Sequence, residues 1–274
     1  MIRVVLAAIL VLLPPAGRPA WWHPGAAAIE WQWELDHPLN LHSRSDMGLG
    51  AVLLSGRLAG DPTVYDIDGF DNSAATVAAL HRAGDRVICY IEVGAAETYR
   101  PDYRSFPARD LGRRVPGYPQ ERYVDIGDPA VRRLIEARIS MCARKGFDAV
   151  EPDIDDSYAD RTGFRITEAE NLVYDIALAG YAHRLGLAWG QKNGDADPAF
   201  SRSLEPYADF LIDEQCFQYG TCSIVTPPYR RAGKAVFEVE YTLPRSRFCA
   251  AANRDGFDSM RMSVALAGGR QPCR

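Results

Sequence analysis

The sequence predicts a single-domain α/β fold, a (β/α)8 TIM-type barrel, from three observations. Short apolar segments alternate with segments of helical periodicity, as they do where helices connect the strands of a parallel sheet. There are eight such apolar segments, which is the number that closes a parallel barrel. The 274 residues contain no low-complexity linker or internal repeat, so one barrel accounts for the chain.

The predicted strands are short and apolar, and most are followed by polar residues. Buried parallel strands have this composition because helices cover the outer surface of their sheet. In chain order the strands are predicted at residues 29–35, 64–68, 86–93, 147–153, 187–192, 209–214, 235–241 and 260–265.

Helical segments fill the intervals between the predicted strands. Three are clear from their periodicity, at residues 73–83, 129–145 and 167–185. The third opens with Thr167 and Glu170, close to the arrangement of a capping box. Glycine suits the left-handed conformation at the end of a helix. Five glycines precede predicted strands in this way: Gly84, Gly146, Gly186, Gly233 and Gly256.

A long irregular stretch at residues 36–62 is rich in Gly, Ser, His and Asp and is predicted to be an insertion after the first strand. The alternative fold is a doubly wound open sheet. Dinucleotide-binding sheets of that class carry G-x-G-x-x-G after the first strand, and this chain has none there. The closed barrel is therefore preferred.

The first 20 residues predict an export signal. Arg3 supplies a positive charge, residues 4–13 are apolar without interruption, and prolines end the run. Such a run is too short to span a bilayer as a helix. We therefore expect a signal peptide at residues 1–20, a barrel domain at 21–274 and a secreted or periplasmic protein.

The six cysteines predict disulfide bonds, because an exported protein meets oxidising conditions. None belongs to a C-x-x-C pair, which argues against a structural zinc site. Cys216 and Cys222 could close a small loop, and Cys249 and Cys273 could tie the last helix to the C-terminal tail. The other two, one in a predicted strand and one in a predicted helix, could form a third bridge or stay buried thiols.

Carboxylates cluster at the predicted carboxyl ends of five strands. In a barrel these ends meet at one mouth, where catalytic residues lie. Carboxylates placed together there repel each other, and burial disfavours their charged forms. Such a cluster therefore indicates a chemistry that requires carboxylates. Metal binding is one, and acid–base catalysis on a glycosidic bond is the other. Taken singly, Asp68, Asp155 and Asp156 could also be helix caps or solvated loop residues.

The histidines argue against a metal site made of nitrogen ligands at this mouth. All five lie outside the acidic strand ends. An all-oxygen Ca²⁺ or Mg²⁺ site at Asp153, Asp155 and Asp156 stays open, although its spacing differs from an EF-hand loop. We expect no metal and no cofactor. The formal net charge of −5 argues against a nucleic-acid partner, and the absence of G-x-S-x-G argues against an α/β-hydrolase.

Ten sequence blocks occur in order over roughly residues 31–242, and they carry a family resemblance. They are WQW at 31–33, VYDID at 64–68, VICY at 87–90, YRPD at 99–102, ERYVD at 121–125, KGFD at 145–148, EPD at 151–153, QKN at 191–193, DEQCFQY at 213–219 and VFEVEY at 236–241. In these blocks the chain resembles glycoside hydrolase family 114, the endo-α-1,4-polygalactosaminidase-like and spherulin-4-like barrels. The resemblance implies hydrolysis of an α-1,4-linked, galactosamine-rich polymer without a cofactor.

Two departures from the family pattern touch the predicted mouth. The family commonly has E-P-D-N-x-D-G, where this chain has Ile154 and Ser157 in place of the Asn and the Gly. It also commonly has small or hydroxyl residues where this chain has Glu92. These changes allow a substrate preference different from that of the family's type enzymes.

Asp153 and Glu214 are the predicted catalytic pair. They end the fourth and sixth predicted strands, on different walls of one mouth, as attack on a single sugar linkage requires. The family's proposed carboxylates lie in the same motifs. Glu214 is predicted as the acid/base, because apolar neighbours such as Leu211 and Ile212 favour a neutral carboxyl. Asp153 then stays ionised, as nucleophile or as base, and Asp156 could exchange roles with it.

The expected substrate is a cationic polysaccharide, because carboxylates attract the ammonium groups of deacetylated galactosamine. We expect an endo-acting monomer that binds no nucleic acid and, after signal removal, no membrane. The alternative is a carbohydrate-binding protein on the same barrel that has lost catalysis. Lys192 could orient a carboxylate or simply balance the negative charge. The predicted substrate-binding residues are Asp66, Asp68, Tyr90, Glu92, Asp156, Lys192, Asn193, Glu240 and Tyr241.

Overall fold

The computed structural model describes residues 20–274 of the chain. The predicted signal peptide lies outside these residues, apart from Ala20. In chain order the helices and strands are β1 (Trp31–Glu34), β2 (Val64–Asp68), α1 (Ala74–Ala83), β3 (Arg86–Glu92), β4 (Ala95–Glu97), β5 (Leu111–Val115), β6 (Tyr118–Val124), α2 (Pro129–Lys145), β7 (Ala149–Asp153), α3 (Glu168–Arg184), β8 (Ala188–Lys192), α4 (Pro198–Leu204), β9 (Phe210–Glu214), α5 (Cys216–Tyr219), α6 (Cys222–Ala232), β10 (Val236–Glu240), α7 (Arg245–Asp255), β11 (Asp258–Arg261) and β12 (Gln271–Pro272).

The eight predicted strands are all present and form one curled sheet. Its order is β1-β2-β3-β7-β8-β9-β10-β11, with every neighbouring pair parallel, and β12 adds an antiparallel strand beside β11. The α/β barrel predicted from the sequence is confirmed. The last strand begins two residues earlier than predicted and ends at Arg261, because residues 262–265 leave the sheet.

Side-chain contacts and the C-terminal segment join the two ends of the sheet. Within residues 20–274 no strand ladder pairs β11 with β1. Instead, the indole nitrogen of Trp31 donates to the carbonyl of Asp258 at 2.7 Å, and the backbone N–H of Ile29 donates to its carboxylate at 2.9 Å. The backbone N–H of Leu35 also donates to the carbonyl of Leu266 at 3.1 Å. These bonds hold the first and last parallel strands together.

Successive strand residues point to opposite faces, which separates two apolar layers. The inner layer fills the barrel with large side chains, among them Trp31, Trp33, Phe210 and Phe237. The outer layer packs beneath the helices and includes Ile67, Val87, Val150 and Leu211. On each strand this alternation decides which polar side chains face the barrel axis and which face the helices.

The helix ends follow the predicted capping chemistry. Ser73 and Asp128 cap α1 and α2 with their side chains, and Thr167 and Glu170 form a complete capping box at α3. Gly84, Gly146, Gly233 and Gly256 end their helices in the left-handed conformation, and Gly186 adopts it just after α3. The stretch at residues 36–62 contains no helix or strand among these elements, as predicted.

A second, three-stranded antiparallel sheet was not predicted. It is inserted between β3 and α2 and has the order β4-β6-β5. We call it the small sheet. It places Val115, Tyr118, Glu121 and Tyr123 on the wall of the cavity at the barrel mouth.

Three disulfide bonds link the six cysteines. Cys216–Cys222 closes the turn between α5 and α6, and Cys249–Cys273 ties α7 to the C-terminal tail, as the sequence suggested. Cys89 and Cys142 form the third bridge, which joins β3 to α2 and settles the choice that the sequence left open. Within residues 20–274 no helix combines the length and the apolarity that a membrane crossing requires.

Candidate active site

A cavity of about 570 Å³ opens at the carboxyl ends of the parallel strands. Its wall includes both predicted catalytic residues, Asp153 and Glu214, together with side chains of the small sheet. A second cavity of about 360 Å³ adjoins it and shares Tyr118, Asp156, Asn193 and Glu214 with the first. The two cavities form one cleft, with Glu214 on the wall of both.

Lys192 is the centre of the charge arrangement in this cleft. It lies on β8, between β7 and β9, and its Nζ is 2.9 Å from Glu151, 3.1 Å from Asp153 and 3.2 Å from Glu214. The ammonium also lies over the ring of Trp33, 4.9 Å from the ring centroid. Burial lowers the pKa of Lys192, but the three carboxylates outweigh it and hold the pKa well above its ordinary value. One buried ammonium therefore contacts three carboxyl groups.

Asp153 is held as a carboxylate. The Tyr90 hydroxyl donates to its Oδ2 at 2.7 Å, and the backbone N–H of Ile154 donates to its Oδ1 at 3.1 Å. Burial raises the pKa of Asp153, but the charge of Lys192 and these hydrogen bonds are stronger and bring it below the ordinary value. This environment stabilises the ionised form of Asp153.

Glu214 is oriented by polar groups rather than by the apolar neighbours named from the sequence. The Tyr241 hydroxyl donates to its Oε1, and its backbone N–H donates to the Asn193 side-chain carbonyl at 2.9 Å. Leu211 belongs to the outer apolar layer beneath the helices, away from the cavity. The Glu214 side chain is 26% exposed, so solvent or substrate can reach it.

A pair of acidic residues lies directly below the cleft. Glu151 accepts hydrogen bonds from the indole nitrogen of Trp33 at 3.0 Å and from Lys192 at 2.9 Å. Asp66 is fully buried, and among the described residues no donor reaches either of its oxygens. Burial and the facing charge of Glu151 raise the pKa of Asp66 well above its ordinary value. Burial also raises the pKa of Glu151, but the charge of Lys192 opposes this, so of the two carboxyls Asp66 is the one that favours the neutral form.

Strained backbone positions cluster around the cleft. Among the described residues four non-glycine positions have a positive φ: Ile154, Asn193, Gln215 and Leu266. All four lie on the wall of one or both cavities, and the first three directly follow β7, β8 and β9. Ile154 has a φ of 56°, which a β-branched residue rarely adopts and Asn tolerates better. Strain of this kind concentrates at functional sites.

The comparisons with known proteins identify the family of the chain. A family model for glycoside-hydrolase family GH114 matches residues 12–274. The chain belongs to glycoside-hydrolase family GH114. This GH114 chain is a glycoside hydrolase.

Solved structures show the same fold. The crystal structure of Aspergillus fumigatus Ega3 in complex with galactosamine is 30% identical, with a TM-score of 0.80 over 93% of this chain and 98% of that one. The glycoside hydrolase domain of PelA from Pseudomonas aeruginosa is 16% identical, with a TM-score of 0.56 over 75% and 88% of the two chains, and shares the fold. A variant of that PelA domain is 15% identical, with a TM-score of 0.62 over 86% and 95%. No curated protein matches the chain.

The remaining predicted site residues of this GH114 chain divide into two groups. Tyr90, Glu92, Asp156 and Asn193 line the cleft with Lys192 and Tyr241. Asp68 reaches the wall, but its carboxylate pairs with Arg100 and accepts the backbone N–H groups of Phe70 and Asp71. Asp66 lies below the cleft and Glu240 beside it, and both are fully buried.

Glu240 has a structural role that strand alternation explains. It points toward the helices, while Tyr241 points toward the barrel axis. Its Oε1 accepts the backbone N–H groups of Phe217 and Gln218 at 2.9 and 3.0 Å. It thereby satisfies backbone donors at the start of α5 instead of facing a sugar.

The sequence pattern did not single out several residues in and below the cleft. Glu151 stands two residues before Asp153, and a spacing of two on a strand places both on one face, so the signal was present. Glu121 and Tyr123 were noticed only as part of a family block, because the small sheet was not predicted. Glu121 and Asp156 both have a pKa of about 7, raised by burial and then by neighbouring carboxylates.

The all-oxygen metal site considered for Asp153, Asp155 and Asp156 is not assembled. The Asp155 side chain is buried and accepts the backbone N–H of Lys192 at 3.0 Å, while Asp153 faces the Lys192 ammonium. Among residues 20–274 one group, Glu34, His37 and Asp46, brings possible ligand atoms within 4.8 Å of one another. Each imidazole nitrogen of His37 already faces a carboxylate there, at 3.0 Å from Asp46 and 3.4 Å from Glu34.

Proposed function

We propose that the chain is an exported endo-glycosidase that hydrolyses α-1,4-linked, galactosamine-rich polysaccharide, with Asp153 as nucleophile and Glu214 as acid/base and without a cofactor. One observation carries the proposal. The two carboxylates extend from β7 and β9 toward the same ammonium, that of Lys192 on the strand between them. They therefore stand on two walls of one cleft, close enough to each other to reach a single glycosidic bond bound beside the ammonium.

The charge of the cleft supports a cationic substrate. Asp36, Glu121, Asp156 and Asp160 lie on its wall, and neither Glu121 nor Asp156 forms an ion pair with a basic residue of the described chain. Free carboxylates of this kind attract ammonium groups and favour their binding. The 30% identical Ega3 was crystallised with galactosamine, an amino sugar. A galactosamine-rich polymer supplies the positive charge that the cleft lacks.

The separation of the two carboxylates supports retention of the anomeric configuration. Asp153 Oδ1 and Glu214 Oε2 lie 3.1 and 3.2 Å from the same nitrogen, so these two oxygens are at most about 6.3 Å apart. Retaining enzymes place their carboxyls about 5–5.5 Å apart, and inverting enzymes about 6.5–9.5 Å apart to admit a water. A bound of about 6.3 Å on these two oxygens favours the shorter, retaining separation of the carboxyl groups.

The reaction then proceeds in two displacements. A carboxylate oxygen of Asp153 attacks the anomeric carbon while protonated Glu214 donates its proton to the leaving glycosidic oxygen. This step forms an aspartyl–glycosyl ester and releases one part of the polymer. In the second step the Glu214 carboxylate removes a proton from water, the water oxygen attacks the anomeric carbon, and the ester bond breaks. Asp153 returns as a carboxylate and Glu214 returns protonated.

The cleft residues that the sequence assigned to the substrate have distinct parts in this proposal. The hydroxyls of Tyr90 and Tyr241 orient Asp153 and Glu214, and Lys192 sets the distance between these two. Asp156 and Asn193 line both cavities and are placed to bind sugars. Asp66, Asp68 and Glu240 support the site from buried positions.

The two-part cleft supports endo action. The catalytic residue Glu214 lies on the wall shared by the cavities of about 570 and 360 Å³, so sugar units can bind on both sides of the cleaved linkage. Exposed aromatic residues stand at its rim, Tyr118 at 57% and Tyr219 at 65% exposure, and can stack on sugar rings. A chain bound across both cavities would be cut internally.

The proposal includes export of the protein, which is expected to act as a monomer. The N-terminal apolar run is followed by a domain with three disulfide bonds, which form and persist in oxidising compartments. The protein would therefore act outside the cytosol, where polysaccharide is accessible.

The test is to replace each carboxylate by its amide and measure new reducing ends on polygalactosamine. Asp153→Asn and Glu214→Gln should each lower turnover by at least about 100-fold, the low end for positioned acid–base catalysis, while circular dichroism shows that the fold is retained. Asp156→Asn is the matched control and should act mainly on KM. If Asp153→Asn retains most activity while Asp156→Asn abolishes it, the nucleophile is misassigned. Binding of the polymer by the wild type without cleavage would favour a carbohydrate-binding protein.

A further inference from the structure

Glu92 is a buried carboxyl on the cleft wall that the proposed reaction leaves unused. It follows Tyr90 by two residues on β3, so both side chains face the barrel axis. Glu92 is 2% exposed. Its Oε1 lies 3.2 Å from the Tyr90 hydroxyl oxygen, and its Oε2 has no hydrogen-bond partner among the described residues.

The Tyr90 hydroxyl contacts two carboxyls but has one proton to donate. Asp153 Oδ2 is the nearer partner at 2.7 Å, and Glu92 Oε1 is farther at 3.2 Å. Asp153 is ionised and can only accept, so the Tyr90 proton points to it. The contact between Tyr90 and Glu92 is then a hydrogen bond only if Glu92 itself holds a proton and donates it to the hydroxyl oxygen.

The surroundings of Glu92 favour this protonated form. Burial acts first, and the charges of Asp153 on β7, Glu97 on β4 and Glu121 on β6 add to it, so the pKa of Glu92 lies well above its ordinary value. Arg138 on α2 opposes them, but its Nη1 donates to the backbone carbonyl of Glu92 at 2.8 Å and pairs with Glu97 at 3.3 Å. The cation is thus directed away from the Glu92 carboxyl.

We propose that protonated Glu92 is a positioning residue for the nucleophile: it donates to the Tyr90 oxygen, so that the Tyr90 proton stays directed at Asp153. This inference rests on the proposed role of Asp153. No proton moves along the row of hydrogen bonds. The hydrogen bonds from Glu92 to Tyr90 and from Tyr90 to Asp153 fix the direction of each donor. Asp153 therefore keeps one orientation while its negative charge is lost in the first displacement.

The test measures kcat and KM on polygalactosamine across pH for Glu92→Ala, Glu92→Gln and Tyr90→Phe, and for Tyr90→Phe combined with Glu92→Ala. Glu92→Ala should lower kcat about tenfold, as expected for the loss of one hydrogen bond to a charged network, with little change in KM. Glu92→Gln should restore most of kcat, because its amide N–H donates to the Tyr90 oxygen. In the Tyr90→Phe background Glu92→Ala should have no further effect.

The pH profile separates positioning from a structural role. In the wild type kcat should fall at alkaline pH as both the general acid and Glu92 are deprotonated. Glu92→Gln has no proton to lose at this position, so its kcat should fall less steeply and show only the part that belongs to the general acid. Melting temperatures identify any variant that fails to fold, and the comparison of wild type with Glu92→Gln stays informative in that case.

Three outcomes would overturn the inference. They are wild-type kcat in Glu92→Ala, additive effects of the two substitutions, or a Glu92→Gln variant with raised KM and unchanged kcat, which would make Glu92 an anionic ligand of the substrate. Asp153→Asn assayed in parallel separates this failure from that of the proposed function. An active Asp153→Asn enzyme rejects the nucleophile itself, whereas an inactive one with an unaffected Glu92→Ala rejects only the role of Glu92.

Discussion

Asp156 is a residue at which the acidity of the cleft can be followed through substrate binding. Its carboxyl has a pKa of about 7, because burial and then the charges of Asp160 and Asp153 oppose its ionisation. It is ionised above this pH and neutral below it. An ammonium bound nearby is attracted only by the ionised form.

We therefore expect the KM for polygalactosamine to rise about fivefold as the pH falls through about 7, the effect of one partly exposed ion pair of roughly 1 kcal/mol. Steady-state kinetics between about pH 6 and about pH 8 would show it. Asp156→Asn removes the titrating group, so its KM should be high throughout and vary less with pH. Equal pH dependence of KM in wild type and Asp156→Asn would contradict the expectation.

The sequence predicted the cleft residues at the strand ends better than the buried residues beneath or beside the cleft. Asp153, Glu214 and Lys192 could be predicted because each is the last residue of an apolar strand, where a parallel barrel opens. Asp66 ends no strand and lies below the cleft, and Glu240 has the strand parity that points to the helices. Alternate residues of a strand point to opposite faces, so counting from the apolar residues of this strand would have placed Glu240 toward the helices and Tyr241 toward the barrel axis.

At the scale of elements, the eight parallel strands could be predicted because each is a buried apolar run followed by polar residues. The small sheet could not, because β5 and β6 are only partly buried and carry charged residues among their apolar ones. Such strands carry little hydrophobic pattern, and their pairing is set by contacts with each other and with the barrel mouth. The cleft wall that they supply, with Glu121 and Tyr123, was missed for the same reason.

The disulfide bonds link elements over very different lengths of chain, which predicts unequal contributions to stability. Cys89–Cys142 closes a loop with a sequence separation of 53, and Cys216–Cys222 one of 6. The loop-entropy relation gives about 4 kcal/mol for the first and about 2 kcal/mol for the second. Replacing each pair by alanine should lower the free energy of unfolding in this order, measured by denaturant titration.

The short-loop pair serves as the control for the long-loop pair, since each variant loses two sulfur atoms. Cys89 and Cys142 are both fully buried. The cavity left by their truncation therefore further increases the loss in the free energy of unfolding that is expected for this pair. An equal or larger loss from the Cys216–Cys222 pair would show that loop length does not govern these contributions.

At the scale of the whole molecule, the fold places three strands at the centre of the chemistry. Strands β7, β8 and β9 are neighbours in the sheet and end in Asp153, Lys192 and Glu214. The residues after these three strands are in the left-handed conformation, which turns the chain sharply away at the cleft. A parallel barrel is suited to this arrangement, because every strand delivers its last residue to the same mouth.

The central claim is that Asp153 and Glu214 hydrolyse a galactosamine-rich polymer by double displacement. The anomeric configuration of the first product, recorded by proton NMR before the reducing end equilibrates, tests it most directly. Cleavage of α-1,4-linked galactosamine polymer should release new reducing ends in the α configuration, since two displacements at one carbon restore the original configuration. Release of the β anomer, or no new reducing ends at all, would contradict the account.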